Sequence, residues 1–262
     1  MFWQRVLSAI IGVPILFAAV WYGGVVLLIV TAVLMLLGAR EISMIFSRLE
    51  MQVPQIMIIP GCLFLAAAAY QYKGGYPADA LIIILIFYLV LMTAFYPRFT
   101  PIDVAISFFG TIYVGLLIFL FLISTLPNGL IWLVLVLVCT WSSDTLAYLV
   151  GRRWGKRRMA PELSPGKTLE GAVGGVLGST IAAWVVVMSY SPLPLWPVLS
   201  LGFITGLAAQ IGDLVESAIK RLAGIKDAGN LIPGHGGVLD RFDSMLFTAP
   251  LVYYYVVLIL HN

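Results

Sequence analysis

Charge is scarce in this chain. Only 10% of its 262 residues are Asp, Glu, Lys or Arg, against about a quarter in ordinary soluble domains. Hydrophobic residues make up 61%, and the mean hydropathy is +1.04. A water-soluble core of this length could not hide so much apolar surface, so the soluble globular class is excluded. A bilayer can hide it, and backbone polar groups must then pair inside helices or a closed barrel. Strict apolar–polar alternation is also lacking. The apolar runs are continuous, which favours helices over a barrel. Cysteine is nearly absent. Cys62 and Cys139 are the only two, both inside apolar runs, which argues against a disulfide framework and a cysteine metal site. They read as two small buried hydrophobes. No internal repeat, low-complexity segment or soluble extra domain stands out, and no Ser-His-Asp arrangement or cysteine nucleophile can be assembled.

What remains is long apolar runs with turn chemistry between them. A span needs about 20 mainly apolar residues. On that scale the chain offers about nine candidate helices, near 5–22, 25–46, 54–72, 78–96, 103–126, 129–150, 168–190, 195–222 and 240–260. The breaks are Gly23-Gly24, Val53-Pro54, Gly74-Gly75, Tyr96-Pro97, Pro127-Asn128-Gly129 and Ser191-Pro192-Leu193-Pro194. The start, with Arg5 and then an apolar stretch, has the outline of a signal peptide. Apolar character resumes at once after Gly24, so it reads as a first membrane helix. The expected fold class is all-α, a polytopic membrane helical bundle of about nine transmembrane helices. Nine spans put Arg5, Arg40, Arg48, Arg98, the basic residues from Arg152 to Lys167, and Lys220, Arg221, Lys226 and Arg241 on one side. Only Lys73 falls on the other. The basic side is expected to be cytoplasmic, with the N-terminus inside. We expect residues 1–101 to be scaffold, lipid or dimer contact, and 102–262 to carry a catalytic cytoplasmic rim.

The ionisable residues concentrate late. After residue 140 come Asp144, Glu162, Glu170, Asp213, Glu216, Asp227, Asp240 and Asp243. Charges near a bilayer are expensive, so the charged, glycine-rich run 213–243 is a functional-site hypothesis by default. Asp213, Glu216, Ser217 and Lys220 share one helix face. Glu216 with Lys220 can be a plain i,i+4 salt bridge. Asp213 has no basic residue within one turn, which favours a metal or substrate role. Asp240 and Asp243 open the last helix. Capping explains one of them but not both. Carboxylates on adjacent helices, with few histidines, are hard oxygen ligands of the kind Mg²⁺ prefers, shared with substrate phosphates.

The loop Pro233-Gly234-His235-Gly236-Gly237 permits close backbone approach, and its N–H groups can cradle an anion. A tight re-entry turn explains it as well. His235 suits a hydrogen bond to phosphate, or the loop itself, better than zinc. Ser164-Pro165-Gly166-Lys167-Thr168 contains a Gly-Lys-Thr triplet but is not a Walker A loop, because Pro161 stands where a glycine is needed and no strand is expected before it. Lys167 at a helix start can hold a phosphate, and Glu170 can pair with it or touch a metal. Asp144 has Ser142, Ser143, Thr145 and Tyr148 nearby; an interhelical hydrogen bond is its plain reading. Topology alone explains the basic run 152–158, and lipid or nucleotide phosphate is a further use. The chemistry these pieces suggest is phosphoryl or nucleotidyl transfer on a lipid.

Ser217-Ala-Ile-Lys220-Arg221, four residues, Lys226-Asp227, then Pro233-Gly-His235-Gly236-Gly237-Val-Leu-Asp240-Arg241-Phe-Asp243 resembles the signature of phosphatidate cytidylyltransferases, also called CDP-diacylglycerol synthases. The match runs through all 27 residues from Ser217 to Asp243. Asp144, Gly151-Arg-Arg-Trp-Gly-Lys156 and Ser164-Pro-Gly-Lys-Thr-Leu-Glu-Gly171 look like that family too. The likeness is strong over about 141–243 and only hydrophobic over the first hundred residues. The Asp-Gly-x-x-Ala-Arg run of CDP-alcohol phosphotransferases is absent. The resemblance implies Mg²⁺-dependent conversion of CTP and phosphatidate to CDP-diacylglycerol and pyrophosphate, in phospholipid biosynthesis at a bacterial-type inner membrane. It implies Asp213 and Asp240 at the metal, with Asp243, Glu216 and Ser217 close by and a second metal or monovalent cation open. Lys167, Lys220, Arg221, Lys226 and Arg241 would neutralise phosphates. Asp144 and Glu170 are second-tier candidates. Asp227, His235, Gly236 and Gly237 fall within the signature as substrate-side positions. Partners implied are CTP, phosphatidate, membrane lipids and a second copy in a homodimer, with no nucleic acid. A CTP-using polyprenol kinase and a cation-coupled transporter are the alternatives.

Overall fold

The structure, a computed structural model, describes residues 2–51, 53–72, 78–190, 193–229, 231 and 236–260. The glycine turn at 74–75, Lys73, the Ser191-Pro192 pair and the Pro233-Gly234-His235 part of the signature lie outside the described residues. The chain divides into two compact units, residues 1–127 with 222–241, and residues 128–221 with 242–262.

In the first unit, α1 (Phe2–Tyr22) and α2 (Gly24–Ser47) are separated at the glycine pair. Gly23 and Gly24 both take positive φ, 58° and 48°, a region that glycine enters without a Cβ clash. Next come α3 (Gln55–Tyr72), α4 (Ala78–Ala94), α5 (Pro101–Gly115) and α6 (Ile118–Ser124). Helix α2 packs against α1, α3, α5 and α6. Thr100 and Asp103 form a reciprocal capping box at the start of α5, which satisfies end N–H groups that have no intrahelical partner.

In the second unit, α7 (Gly129–Trp154) leads into a short antiparallel hairpin, β1 (Arg158–Ala160) and β2 (Ser164–Thr168). Then come α8 (Leu169–Ser189) and α9 (Leu195–Leu222). Helix α10 (Leu239–Tyr255) begins in the first unit, continues in the second, and ends in a π-helical turn, Val256–Leu260. Apart from this hairpin the elements among the described residues are helical, as expected. The hairpin corrects one expectation, since the Gly-Lys-Thr triplet lies within a strand. Pro161 breaks helical bonding here, and the backbone groups pair across two strands instead. Thr168, expected as the first helical residue, is the N-cap of α8 and accepts from Gly171 N at 3.1 Å.

All nine expected apolar helices are present within a few residues of the expected bounds, the fifth broken into α5 and α6. Among the described residues seven are long and apolar enough to cross a membrane: 24–47, 55–72, 101–124, 129–154, 169–189, 195–222 and 239–260. The apolar parts of α1 (Gly12–Tyr22) and α4 (Asp79–Ala94) are shorter. The chain is an integral membrane protein with multiple apolar helices.

Small residues set how closely α7, α8 and α9 approach. A Cβ at Gly175 would sit 3.0 Å from Ser143 O, and one at Gly178 would sit 2.9 Å from Ser142 O. Ser179 Oγ donates to Gly202 O at 2.7 Å, and Gln210 Nε2 donates to Ala172 O at 2.8 Å. Small faces with interhelical hydrogen bonds replace the hydrophobic drive that lipid removes. A Cβ at Gly202 would collide with that of Ala183. Gly202→Val should therefore destabilise this unit by about 1–3 kcal/mol or more. Thermal unfolding in detergent, beside an exposed-face control such as Phe203→Leu, measures it.

Candidate active site

The second unit gathers the charged groups that the sequence scattered over a hundred residues. One cavity in it has a volume of about 560 Å³, within the range of roughly 300–1,000 Å³ usual for small-molecule sites. Helix α7 lines it with Asp144, Tyr148 and Arg152, the hairpin with Arg158 and Lys167, and α9 with Gln210 and Asp213. Lys167 Nζ lies 2.8 Å from Asp213 Oδ2. Asp144, Asp213 and Asp243 are within electrostatic reach of one another, as are Lys167 with Asp144 and Lys220 with Asp243. Ser217 Oγ donates to Asp213 Oδ1 at 3.4 Å. Ser244 Oγ donates to Asp144 Oδ1 at 3.5 Å, and Ser244 N to Asp243 Oδ1 at 2.6 Å. Gly212 lets α10 come this near, because a Cβ there would sit 2.6 Å from Asp243 O.

Several residues have partners that spacing did not reveal. Asp213 has no basic residue within a turn of it in sequence. The fold supplies Lys167 from β2. Glu216 and Lys220 do form the i,i+4 pair, at 2.5 Å, with Glu216 1% exposed. Glu170 does not pair with Lys167. Its Oε2 accepts from Lys156 N at 3.0 Å and Arg157 N at 3.2 Å, fastening the turn after α7 to the start of α8. Arg221 Nε donates to Leu163 O at 3.0 Å, tying the end of α9 to the hairpin turn. Arg152 and Arg158 line the cavity, whereas in the sequence their basic run needed no reading beyond topology.

The first unit holds the rest of the signature. Lys226, Asp227 and Arg241 are exposed. Gly236 has φ of 86°. Asp240 Oδ2 accepts from Ala228 N and Gly237 N, both at 2.8 Å. Glu41, from α2, accepts from Val238 N and Leu239 N, also at 2.8 Å. The anions cradled by amides at Gly237, Val238 and Leu239 are thus the protein's own carboxylates. Glu41 was passed over in the sequence because it stands near the expected end of a scaffold helix. The signal that could have found it is a charge inside a membrane segment.

Among the described residues no three or more His, Cys, Asp and Glu side chains form a metal cage. Mg²⁺ requires none, since it keeps several waters and leans on one or two carboxylates plus substrate phosphates. Asp213, a carboxylate lining the cavity, offers an oxygen ligand of that kind.

A sequence model of the cytidylyltransferase family matches residues 3–259. The chain belongs to this family. Membership extends over the N-terminal helices as well as the signature. The phosphatidate cytidylyltransferase of Staphylococcus saprophyticus is 35% identical over 95% of this chain and 96% of its own. That of Synechocystis is 34% identical over 98% and 97%, and that of Staphylococcus aureus 34% over 95% and 96%.

The ion pair on α9 gives a stability prediction. Lys220→Met strands the buried Glu216 carboxylate without its lysine and should cost roughly 3–5 kcal/mol. Adding Glu216→Gln should recover much of that loss. A double-mutant cycle read by thermal unfolding in detergent checks it.

Proposed function

We propose that the chain catalyses the phosphatidate cytidylyltransferase reaction, CTP plus phosphatidate giving CDP-diacylglycerol and pyrophosphate. The observation that carries this reading is the cavity in the second unit, where three cations meet two carboxylates in a chain that the family matches over residues 3–259. Phosphates need positive charge, and Arg152, Arg158 and Lys167 line one small volume with it. A phosphate oxygen of phosphatidate attacks the α-phosphorus of CTP in line. The bond from that phosphorus to the β-phosphate bridging oxygen breaks, and pyrophosphate leaves. The nucleophile is already an anion at neutral pH, so no strong general base is needed.

Asp213 and Asp240 are the proposed ligands of Mg²⁺, which when bound supplies Lewis-acid charge for the phosphates. Two amide bonds do not exhaust Asp240, because a carboxylate offers about four acceptor positions. Asp144 and Asp243 add negative charge that favours a cation beside Asp213. Lys167, Lys220, Arg221, Lys226 and Arg241 neutralise phosphate oxygens. Ser217 orients Asp213, and Glu216 holds Lys220. Glu170, Asp227, His235, Gly236 and Gly237 shape the substrate side. In this reading the site lies on the cytoplasmic face of a nine-span protein, where CTP is available; the grouping of basic residues on one side supports it. A homodimer built on residues 1–101 completes the proposal.

Purified protein in detergent, with phosphatidate, α-labelled CTP and Mg²⁺, tests the reaction. The expected result is label in the lipid together with pyrophosphate. CDP formed with a polyprenol instead would make the chain a lipid kinase. Untouched CTP in every mixture with folded protein would point to an ion path. Asp213→Asn and Asp240→Ala should each lower kcat by roughly 10²-fold or more. Asp240→Asn that stayed fully active at saturating Mg²⁺ would remove Asp240 from the metal.

A further inference from the structure

The first unit contains a buried carboxylate that the proposed chemistry does not use. Glu41 stands inside α2 and is 2% exposed. A charge in such a place is costly and needs a compensating set of donors. Its donors come from far along the chain. Oε1 accepts from Val238 N and Oε2 from Leu239 N, each at 2.8 Å. These amides open α10 and have no partner within that helix. A local Ser, Thr or Asp could cap them, yet a glutamate 197 residues away does so.

The surroundings are shaped to this carboxylate. A Cβ at Gly237 would sit 2.6 Å from Oε2, and one at Gly229 would sit 3.0 Å from Oε1. Only bare backbone on both sides lets the segment close around Glu41. One turn earlier on α2, a Cβ at Gly38 would sit 3.2 Å from Leu239 Cδ2. The same helix face therefore admits the Leu239 side chain and grips the Leu239 amide. Asp240 follows directly. Its Oδ2 clips Ala228 N and Gly237 N, and Asp240 lies within electrostatic reach of Glu41. Two carboxylates thus fasten residues 228–229 and 237–240, one from α2 and one from the segment itself.

We propose that Glu41 is a positioning residue for the reaction, holding the start of α10 so that Asp240 is presented in its working orientation. This rests on the function proposed above. Glu41 does not touch substrate. It acts through Val238 and Leu239, and the N-terminal helices thereby contribute to the site.

The test compares wild type, Glu41→Gln and Gly229→Ala as full-length protein in detergent, by steady-state kinetics and amide hydrogen exchange. Gln keeps the shape but turns an NH₂ toward one of the two amide donors. Exchange at Val238 and Leu239 should then rise about tenfold or more, with the other helices unchanged. The kcat should fall roughly 10- to 100-fold, with KM for CTP within about threefold. Gly229→Ala presses on Oε1 without altering the carboxylate and should show the same pattern more weakly, which keeps the test decisive where Glu41→Gln folds poorly. Wild-type kcat and wild-type exchange in both variants would overturn the proposal. So would a loss of folded protein with unchanged kcat per folded enzyme, which marks a purely structural role. If the wild type itself does not act on CTP and phosphatidate, the function reading fails. The exchange result still decides whether Glu41 holds the segment.

Discussion

Charge placed inside apolar helices has to be compensated, and this chain does so in three different ways. Asp213 takes a lysine from another element, Lys167 on β2, at 2.8 Å. Glu216 takes a lysine from its own helix, Lys220. Glu41 takes two backbone amides. Each solution fixes something beyond the charge itself. The first ties the hairpin to α9, the second stiffens the last turns of α9, and the third anchors the start of α10. In water such pairs contribute about 1 kcal/mol or less. For Glu41 and Glu216, which are buried, breaking the pairing leaves a poorly compensated charge, and the cost is several times larger.

Those pairings depend on backbones coming close. Gly175 and Gly178 on α8 face carbonyls of α7, and Gly212 on α9 faces Asp243 O. Without a Cβ in the way, the carboxylates of α7, α9 and α10 fall within reach of one another. The hydroxyl of Ser179 serves the same end, bonding across to Gly202 O. A membrane interior offers no hydrophobic drive between helices, so contact of this kind has to come from small surfaces and a few hydrogen bonds.

Helix number and the helix bounds were legible in the sequence because apolar length and turn residues are local signals. The Glu216–Lys220 pair was legible for the same reason, since both residues sit on one helix face. Lys167 with Asp213 was not, because 46 residues separate them and only the fold joins β2 to α9. The hairpin was missed because two strands of three and five residues are too short for periodicity to show. Glu170 was read toward metal or lysine, yet it binds the amides of Lys156 and Arg157. Backbone donors leave no mark in a pattern of side chains. Glu41 was hidden for that reason too. The first hundred residues carried only hydrophobic likeness at the level of motifs, whereas the family match begins at residue 3.

The Lys167–Asp213 pair also bears on how a charged substrate is received. Each member is half of what the proposed reaction requires, a cation for phosphate and a carboxylate for a divalent ion. While they bind one another, the two neutralise each other in the cavity. A phosphate alone, taking Lys167, would leave Asp213 without that lysine and beside Asp144 and Asp243. A divalent cation alone, taking Asp213, would leave Lys167 without that carboxylate in a lining that also holds Arg152 and Arg158. A nucleotide that brings phosphates and a divalent cation together would offer each member of the pair an opposite charge at once. Under the proposed reaction, the demand for compensation that pairs Lys167 with Asp213 would favour the complete ligand over either part.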